Sequence, residues 1–331
     1  MNKIAAPLLD DRLRAERQSF DQIPLVDVSA LVASGDQTVV AKQFRWALTN
    51  VGFMYVKNHG IPQSVIDAAF AASKRIFDLP DAAKSALHIR NSGHSLRGYI
   101  PLFGENTDPT KTRDLKECFD LGPETPLIDR PFFGRNQWPQ DLPEVAMPLM
   151  TYHDALCDLS RSLLRGVALS LDLPETYFDD KMVNPISVLR LIHYPPQTGA
   201  IDEGMIGIGA HSDYGNMTIL AQDEVGGLQV LNRDQTWVEA APIDGAFVIN
   251  IGDLVQRMTN DLYIANLHRV INASGRERYS MPFFVQADSD AVFEPLQCCI
   301  SATNPPRYAP VTCSDHMFAR YKDSFPHLRD V

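Results

Sequence analysis

Gly209-Ala210-His211-Ser212-Asp213-Tyr214, answered far downstream by Asn266-Leu267-His268-Arg269-Val270, is the pair of stretches on which the chain's reading turns. In an extended segment, residues i and i+2 face the same side, roughly 6.5 Å apart at about 3.3 Å per residue, so the side chains of His211 and Asp213 can converge on one ion. A facial iron site needs two imidazoles and one carboxylate on one face of an octahedron, with the opposite face open to substrates and O₂. The third ligand has to arrive from another strand, and His268 follows Asp213 by 55 positions (268 − 213). A His-x-Asp pair alone is more often two solvated loop residues, so the weight rests on what accompanies it.

Ten positions after His268 (278 − 268) comes Arg278-Tyr279-Ser280, leading into Met281-Pro282-Phe283-Phe284-Val285, which reads as a strand. Arginine offers a planar fork that pairs bidentately with a carboxylate, and Ser280, on the same strand face, adds a donor. A metal face beside a carboxylate clamp suits a co-substrate that chelates iron at one end and carries an acid at the other. 2-Oxoglutarate is such a molecule.

With these residues in place, His211-x-Asp213, His268 and Arg278-x-Ser280 resemble the motif set of the iron(II)/2-oxoglutarate-dependent dioxygenases, in the isopenicillin N synthase-like branch. The resemblance extends over nearly the whole chain. Ile23-Pro24-Leu25-Val26-Asp27 is similar to that family's first strand, Gly52 to Ile61 to its second strand and turn, and Arg97-Gly98-Tyr99 to its substrate-side loop. Gly226-Gly227-Leu228-Gln229-Val230 and Asn250-Ile251-Gly252-Asp253 match its barrel turns. The implied fold is mainly β with flanking helices, around a double-stranded β-helix (jelly-roll) core.

The resemblance also implies a chemistry. Iron(II) would sit on His211, Asp213 and His268, and the far carboxylate of 2-oxoglutarate on Arg278, Ser280 and Tyr194. O₂ would be consumed with 2-oxoglutarate to give succinate and CO₂, while a C–H bond of a small carboxylated metabolite is hydroxylated, desaturated or cyclised. Two rivals stay open. One is an oxidase of the isopenicillin N synthase type, in which the clamp holds the substrate's own carboxylate. The other is a non-catalytic metal-binding jelly roll, against which the Arg-x-Ser pair speaks, because a structural zinc would be closed by four protein ligands.

The bulk properties agree with a small-molecule enzyme. The 331 residues are 45% hydrophobic and 21% charged, ample for a core. The net charge of −11, with no Lys/Arg cluster, argues against nucleic acid or an anionic membrane surface as partner. No 18-residue apolar run exists, and the N-terminus has too short an apolar stretch for a signal peptide. The five irregularly spaced cysteines suggest no disulfide framework and favour a reducing cytoplasm. Cys298-Cys299 reads as strand filler. A monomer or weak homodimer is expected.

Along the chain, residues 8–20 suggest a short surface helix, Ile23 to Val28 a strand, Val39 to Asn50 an amphipathic helix and Phe53 to Lys57 a second strand. His59 sits in a turn signature and is read as packing. Pro62 is well placed to open a helix running to about Asp78. Residues 88–115 read as a long loop, with Arg97 and Tyr99 as candidate substrate contacts. Lys116 to Leu121 is strand-like. Pro123, Pro126, Pro131, Pro139, Pro143 and Pro148 precede a helix over about Met150 to Leu171, whose leucines recur at the 3–4 spacing of a buried face. From Ile186, ten short strands are expected: 186–194, 206–211, 217–222, 227–231, 236–239, 246–250, 254–258, 268–272, 280–286 and 291–294. A wrap and a C-terminal helix through Phe318 and Tyr321 close the chain. The organisation expected is an N-terminal α/β region (1–180), the core (181–300) and a C-terminal wrap (301–331), forming one unit.

Alternation along Val188 to Pro195 puts Arg190, Ile192 and Tyr194 on one face and Leu189, Leu191 and His193 on the other. Many plant relatives carry asparagine where Ile192 stands, which removes a polar contact near the co-substrate. Arg190 has two readings: a structural ion pair with a carboxylate such as Glu117, or, with Arg97, a receiver for a substrate carboxylate. Tyr99, Phe103, Phe283 and Phe284 are candidate pocket aromatics, with at least one of the two phenylalanines in the core.

Overall fold

The computed structural model describes residues 13, 15, 23–33, 35–107, 113–125, 130, 132–197, 201, 202 and 204–324. The helix expected over 8–20 falls almost wholly outside them. In order come β1 (Leu25–Asp27), α1 (Ser29–Val32), α2 (Thr38–Asn50), β2 (Phe53–Lys57), α3 (Gln63–Phe77) and α4 (Asp81–Ala86). Next are β3 (Gly98–Ile100), β4 (Arg113–Asp114), β5 (Glu117–Leu121) and α5 (Ala146–Ser170). The core follows as β6 (Pro185–Tyr194), β7 (Met205–Ile206), β8 (Ile208–His211), β9 (Met217–Gln222), β10 (Leu228–Leu231), β11 (Trp237–Glu239) and β12 (Ala246–Ile251). Then come α6 (Asp253–Met258), β13 (His268–Val270), β14 (Arg278–Asp288), β15 (Val292–Phe293), β16 (Val311–Thr312) and α7 (Cys313–Ser324).

Two sheets face each other. The larger runs β1-β2-β12-β9-β14-β6-β5-β3 and the smaller β11-β10-β13-β8. All pairings in both are antiparallel except β1 with β2. The four central strands of the larger sheet and the four of the smaller make the jelly-roll core. Strands from the N-terminal half extend the larger sheet at both edges, so both halves share one hydrogen-bonded surface.

Alternation along β14 sorts its side chains by face. Arg278, Ser280, Pro282, Phe284 and Gln286 line a cavity between the sheets. Phe283 faces away and meets His153 of α5 edge to face, with ring centroids 5.4 Å apart. It is 0% exposed, a burial worth about 1.5–3 kcal/mol. His153 Nε2 also hydrogen-bonds Ser187 Oγ of β6 at 3.1 Å, tying α5 to the outer face of the sheet. Leu149, Tyr152, Leu156, Leu159, Leu163 and Val167, at helical spacing, bury the rest of that seam.

Four expectations change. Residues 254–258 form a helix, not a strand, because Leu254, Val255 and Met258 are buried at helical spacing and Asp253 N–H bonds Asp213 O at 2.8 Å as the chain turns. Residues 88–115 hold a 3₁₀ stretch (Ile89–Ser95), β3 and β4 within the expected loop; β3 gains a ladder by pairing with β5. Gln297–Cys299 is a 3₁₀ turn with Cys299 buried and Cys298 exposed, so the cysteine pair is not strand filler. Pro62 serves as the N-cap of α3, one position outside the first helical residue.

Candidate iron and co-substrate site

The end of β8 carries His211, the turn beyond it Asp213, and the start of β13 His268; β8 and β13 pair directly, with His211 opposite His268. The two imidazole centroids are 4.1 Å apart. Asp213 Oδ1 lies 3.7 Å from His211 Nε2 and 3.6 Å from His268 Nε2. With metal–ligand bonds of about 2.0–2.2 Å, one ion bridges such separations. Each ring is turned the right way by its other nitrogen: Nδ1 of His211 bonds Gly209 O at 2.9 Å, and Nδ1 of His268 bonds Asn266 O at 3.3 Å. A carbonyl only accepts, so Nδ1 carries the proton and the Nε2 lone pair faces the centre. Burial, then the neighbouring His268, pushes His211 down to about 4, so at neutral pH it is an unprotonated ligand. Among the described residues, this is the one His/Asp/Glu/Cys group with ligand atoms close enough for a metal. Three donors with a cavity on the remaining side fit iron(II) better than a closed zinc site.

Asp213 is held from the larger sheet. Its Oδ2 accepts from Asn250 Nδ2 of β12 at 2.7 Å and from the Thr218 hydroxyl of β9. Burial works against its charge, but the two imidazoles and these donors more than offset that, and its pKa lies below the ordinary value. Neither partner stands out in the sequence as a site member. Asn250 shows only its turn motif, and Thr218 carries one faint signal, its inward position on an alternating strand.

Across the cavity, Arg278 is 0% exposed. Its Nε donates to Gly226 O, its Nη1 to Ser280 Oγ at 3.2 Å and its Nη2 to Gln222 Oε1 at 3.1 Å. Tyr194 stands opposite it on β6, with the guanidinium carbon 4.7 Å from the ring centroid. Gly227 makes the supporting turn possible: its φ is +95°, and a Cβ there would lie 2.5 Å from Ile271 O. At the other side of the metal group, a Cβ on Gly215 would overlap the Gln286 amide, whose Oε1 accepts from Asn216 N–H at 2.9 Å. Ile192 lines the cavity with Tyr194 and Arg190, giving it an apolar stretch of wall.

Of the remaining candidates, Arg190 and Phe284 line the cavity, whereas Arg97, Tyr99, Phe103 and Phe283 do not. Arg97 is spent on the carbonyls of Pro123, Gly134 and Phe132 and on Asn136 Oδ1, which makes it a loop clamp and not a substrate contact. Tyr99 donates to Glu117 Oε2 at 2.6 Å. Phe103 packs under the Arg113 guanidinium, 4.1 Å from its centroid. Arg190 is ion-paired, but with Asp120 and Glu105, not Glu117: Nε and Nη2 meet Asp120 at 2.7 and 2.8 Å, and Nη1 meets Glu105 at 2.7 Å. Glu117 serves Lys84 and His193 instead, at 2.8 and 2.7 Å. Sequence also gave no sign of Glu105 and Lys116, or of Met317 and Tyr321 from α7, as cavity residues.

A jelly roll holding this group of residues defines a class, and the comparisons agree. The model of the non-haem dioxygenase N-terminal region, described from morphine synthesis, matches residues 23–141, and that of the 2OG-Fe(II) oxygenase superfamily matches 185–287. The chain belongs to the 2OG-Fe(II) oxygenase superfamily and is an Fe(II)/2-oxoglutarate-dependent dioxygenase. The 2-oxoglutarate-Fe(II) type oxidoreductase hxnY of Emericella nidulans is 37% identical over 316 residues, covering 91% of this chain and 90% of that protein. Homoarginine-6-hydroxylase 2-ODD-C23 of Glycine max is 36% identical over 299 residues, covering 84% of this chain and 89% of its own. The crystal structure of a full-length Neurospora crassa protein in complex with alpha-KG has a TM-score of 0.79 at 26% identity, covering 92% of this chain and 98% of that one. No helix among the described residues is long and apolar enough to cross a membrane.

Proposed function

We propose that His211, Asp213 and His268 hold the iron, and that Arg278, Ser280 and Tyr194 hold the far carboxylate of 2-oxoglutarate. We further propose that the enzyme oxidises a C–H bond of a small polar metabolite. The observation that carries this is the placement of a three-donor metal group and a fully buried, ring-stacked arginine on facing strands of one cavity. When bound, iron(II) with O₂ and 2-oxoglutarate supplies the oxidising chemistry, and 2-oxoglutarate leaves as succinate and CO₂. The chain's own part is positional. Thr218 and Asn250 fix the carboxylate of Asp213, Gly209 O and Asn266 O set the imidazole tautomers, and Gln222 with Gly226 O aims the Arg278 fork. Ile192, Phe284, Pro282 and Met317 keep the site apolar and dry.

The name of the soybean relative supports hydroxylation of a small molecule; desaturation and cyclisation share the same first C–H step. A substrate carboxylate on Arg190 loses its support, because the three nitrogens of its fork are already donating to carboxylates. The N-terminal region, core and C-terminal wrap are read as one folding unit. A cytoplasmic setting, which keeps iron ferrous and all five free cysteines reduced, and a monomer or weak homodimer complete the reading. The test is anaerobic Fe(II) titration followed by O₂ with 2-oxoglutarate, monitoring succinate and a metabolite library by mass spectrometry. Substrate oxidation without succinate would establish the oxidase rival instead.

A further inference from the structure

The metal group and the arginine clamp account for part of the cavity; another stretch of its wall is charged in a different way. Glu105 and Thr107 from the loop after β3, Lys116 just before β5, and Arg190 of β6 all line it. Lys116 Nζ lies 2.8 Å from Asp114 Oδ2 and 3.5 Å from Glu105 Oε2, and Arg190 bridges Glu105 to Asp120. Every side chain in this network is 10% exposed or less.

The three carboxylates are not equivalent. Asp120 gives both oxygens to Arg190. Asp114 gives Oδ2 to Lys116 and Thr107, and Oδ1 to the Gly209 N–H at 2.9 Å. Glu105, which lines the cavity, gives Oε2 to both cations, and no donor among the described residues reaches its Oε1. A carboxylate oxygen in such a place needs a hydrogen-bond donor, and a bound ligand can bring one. Burial opposes charge on Glu105, but Arg190 and Lys116 hold its pKa below the ordinary glutamate value, so it is an acceptor at neutral pH.

Charge counting points the same way. At the metal end, iron(II), the Asp213 carboxylate, the 2-oxoglutarate dianion and the Arg278 guanidinium cancel. Among the described residues, the network sets three carboxylates against two cations. A second anion would meet those carboxylates, and a monocation suits them better.

We propose that Glu105 recognises the main substrate by accepting a hydrogen bond, through Oε1, from a positively charged nitrogen group on a small molecule whose oxidised carbon points toward the iron. Ammonium, amidinium and guanidinium groups share the required chemistry. Arg190 and Lys116 are then positioning residues that hold the glutamate. This inference rests on the oxygenase reading of the site.

The test uses the full-length protein with Fe(II) and 2-oxoglutarate under anaerobic conditions. It is titrated calorimetrically with n-butylguanidinium, n-pentanamide and n-pentanoate, which share a butyl chain and differ in charge. The guanidinium should bind about tenfold or more tighter than either other probe, the discrimination of one charge-assisted hydrogen bond. Glu105→Gln should abolish that preference, and Glu105→Asp, which keeps the charge on a shorter arm, should retain its direction at weaker affinity. Affinity for 2-oxoglutarate, measured on each sample, reports whether the fold and the iron end survive. Should Glu105→Gln fail that control, the wild-type order and Glu105→Asp decide. Wild-type protein that binds the guanidinium no tighter than pentanoate overturns the proposal, as does a Glu105→Gln variant that keeps the preference. Failure of wild-type protein to bind 2-oxoglutarate at all counts against the oxygenase reading instead.

Discussion

Asn250 donates its side-chain amide to Oδ2 of Asp213 across 2.7 Å, reaching from the larger sheet to the single carboxylate of the metal group. The Thr218 hydroxyl meets the same oxygen. Oδ1 is thereby left for the metal, facing both Nε2 atoms. Partners of this kind usually change metal affinity by about 10–100-fold. Asn250→Ala is expected to weaken Fe(II) binding within that range without unfolding the protein. An anaerobic Fe(II) titration that matched wild type would show that Asp213 orients itself.

His211→Ala, Asp213→Ala and His268→Ala should each abolish succinate formation, because each removes one of three protein donors. Near-normal turnover of the His268 variant at modest iron excess would remove His268 from the ligand set.

Arg278→Ala should raise the apparent KM for 2-oxoglutarate. A lost hydrogen bond to a charged group is worth about 1.5–3 kcal/mol, roughly ten- to hundredfold. Initial-rate kinetics with succinate readout check it, and an unchanged KM would place the far carboxylate elsewhere.

Asp120→Asn should be felt as a stability loss before it is felt as a kinetic one. Asp120 and Arg190 form a bidentate pair with both side chains at most 10% exposed, and breaking such a pair costs about 3–5 kcal/mol. Urea unfolding should show a lower midpoint with an unchanged slope. A variant as stable as wild type would mean that Glu105 alone suffices to hold Arg190.

Acid should loosen the seam between α4, β3 and β6 through Glu117. Burial disfavours its charge, yet bonds from His193, Lys84 and Tyr99 hold its folded pKa below 4.5. A group depressed on folding contributes stability above its unfolded value and loses it as pH falls through the folded one. The melting temperature should therefore decline below about pH 5, and Glu117→Gln should flatten that part of the profile. Parallel curves for the two proteins would assign acid sensitivity to other carboxylates.

Much of the site was legible because strands have a strict period of two. Arg278 with Ser280, and Arg190 with Ile192 and Tyr194, are same-face sets that any extended chain would make, while Asp213 joins His211 from the turn just past the end of β8. Short strands broken by turns suggested a sandwich or barrel, and the family resemblance implied that it is a jelly roll. Period alone could not tell inside from outside for Phe283 and Phe284, since the sorting depends on where α5 packs. Nor could it recognise residues 254–258 as helix, because a short apolar run fits either period until its neighbours bury one face.

The sequence by itself determined which side chains could ligate iron and clamp a carboxylate, since those identities and spacings are local. Only the tertiary structure decided the partners of buried charges. Arg190 meets Asp120 and Glu105 from distant segments, Arg97 is absorbed by carbonyls of a neighbouring loop, and Thr218 and Asn250 converge on Asp213 from two strands. Pairing energy in a low-dielectric interior depends on distances of a few ångströms between different segments of the chain, and no local pattern encodes those distances.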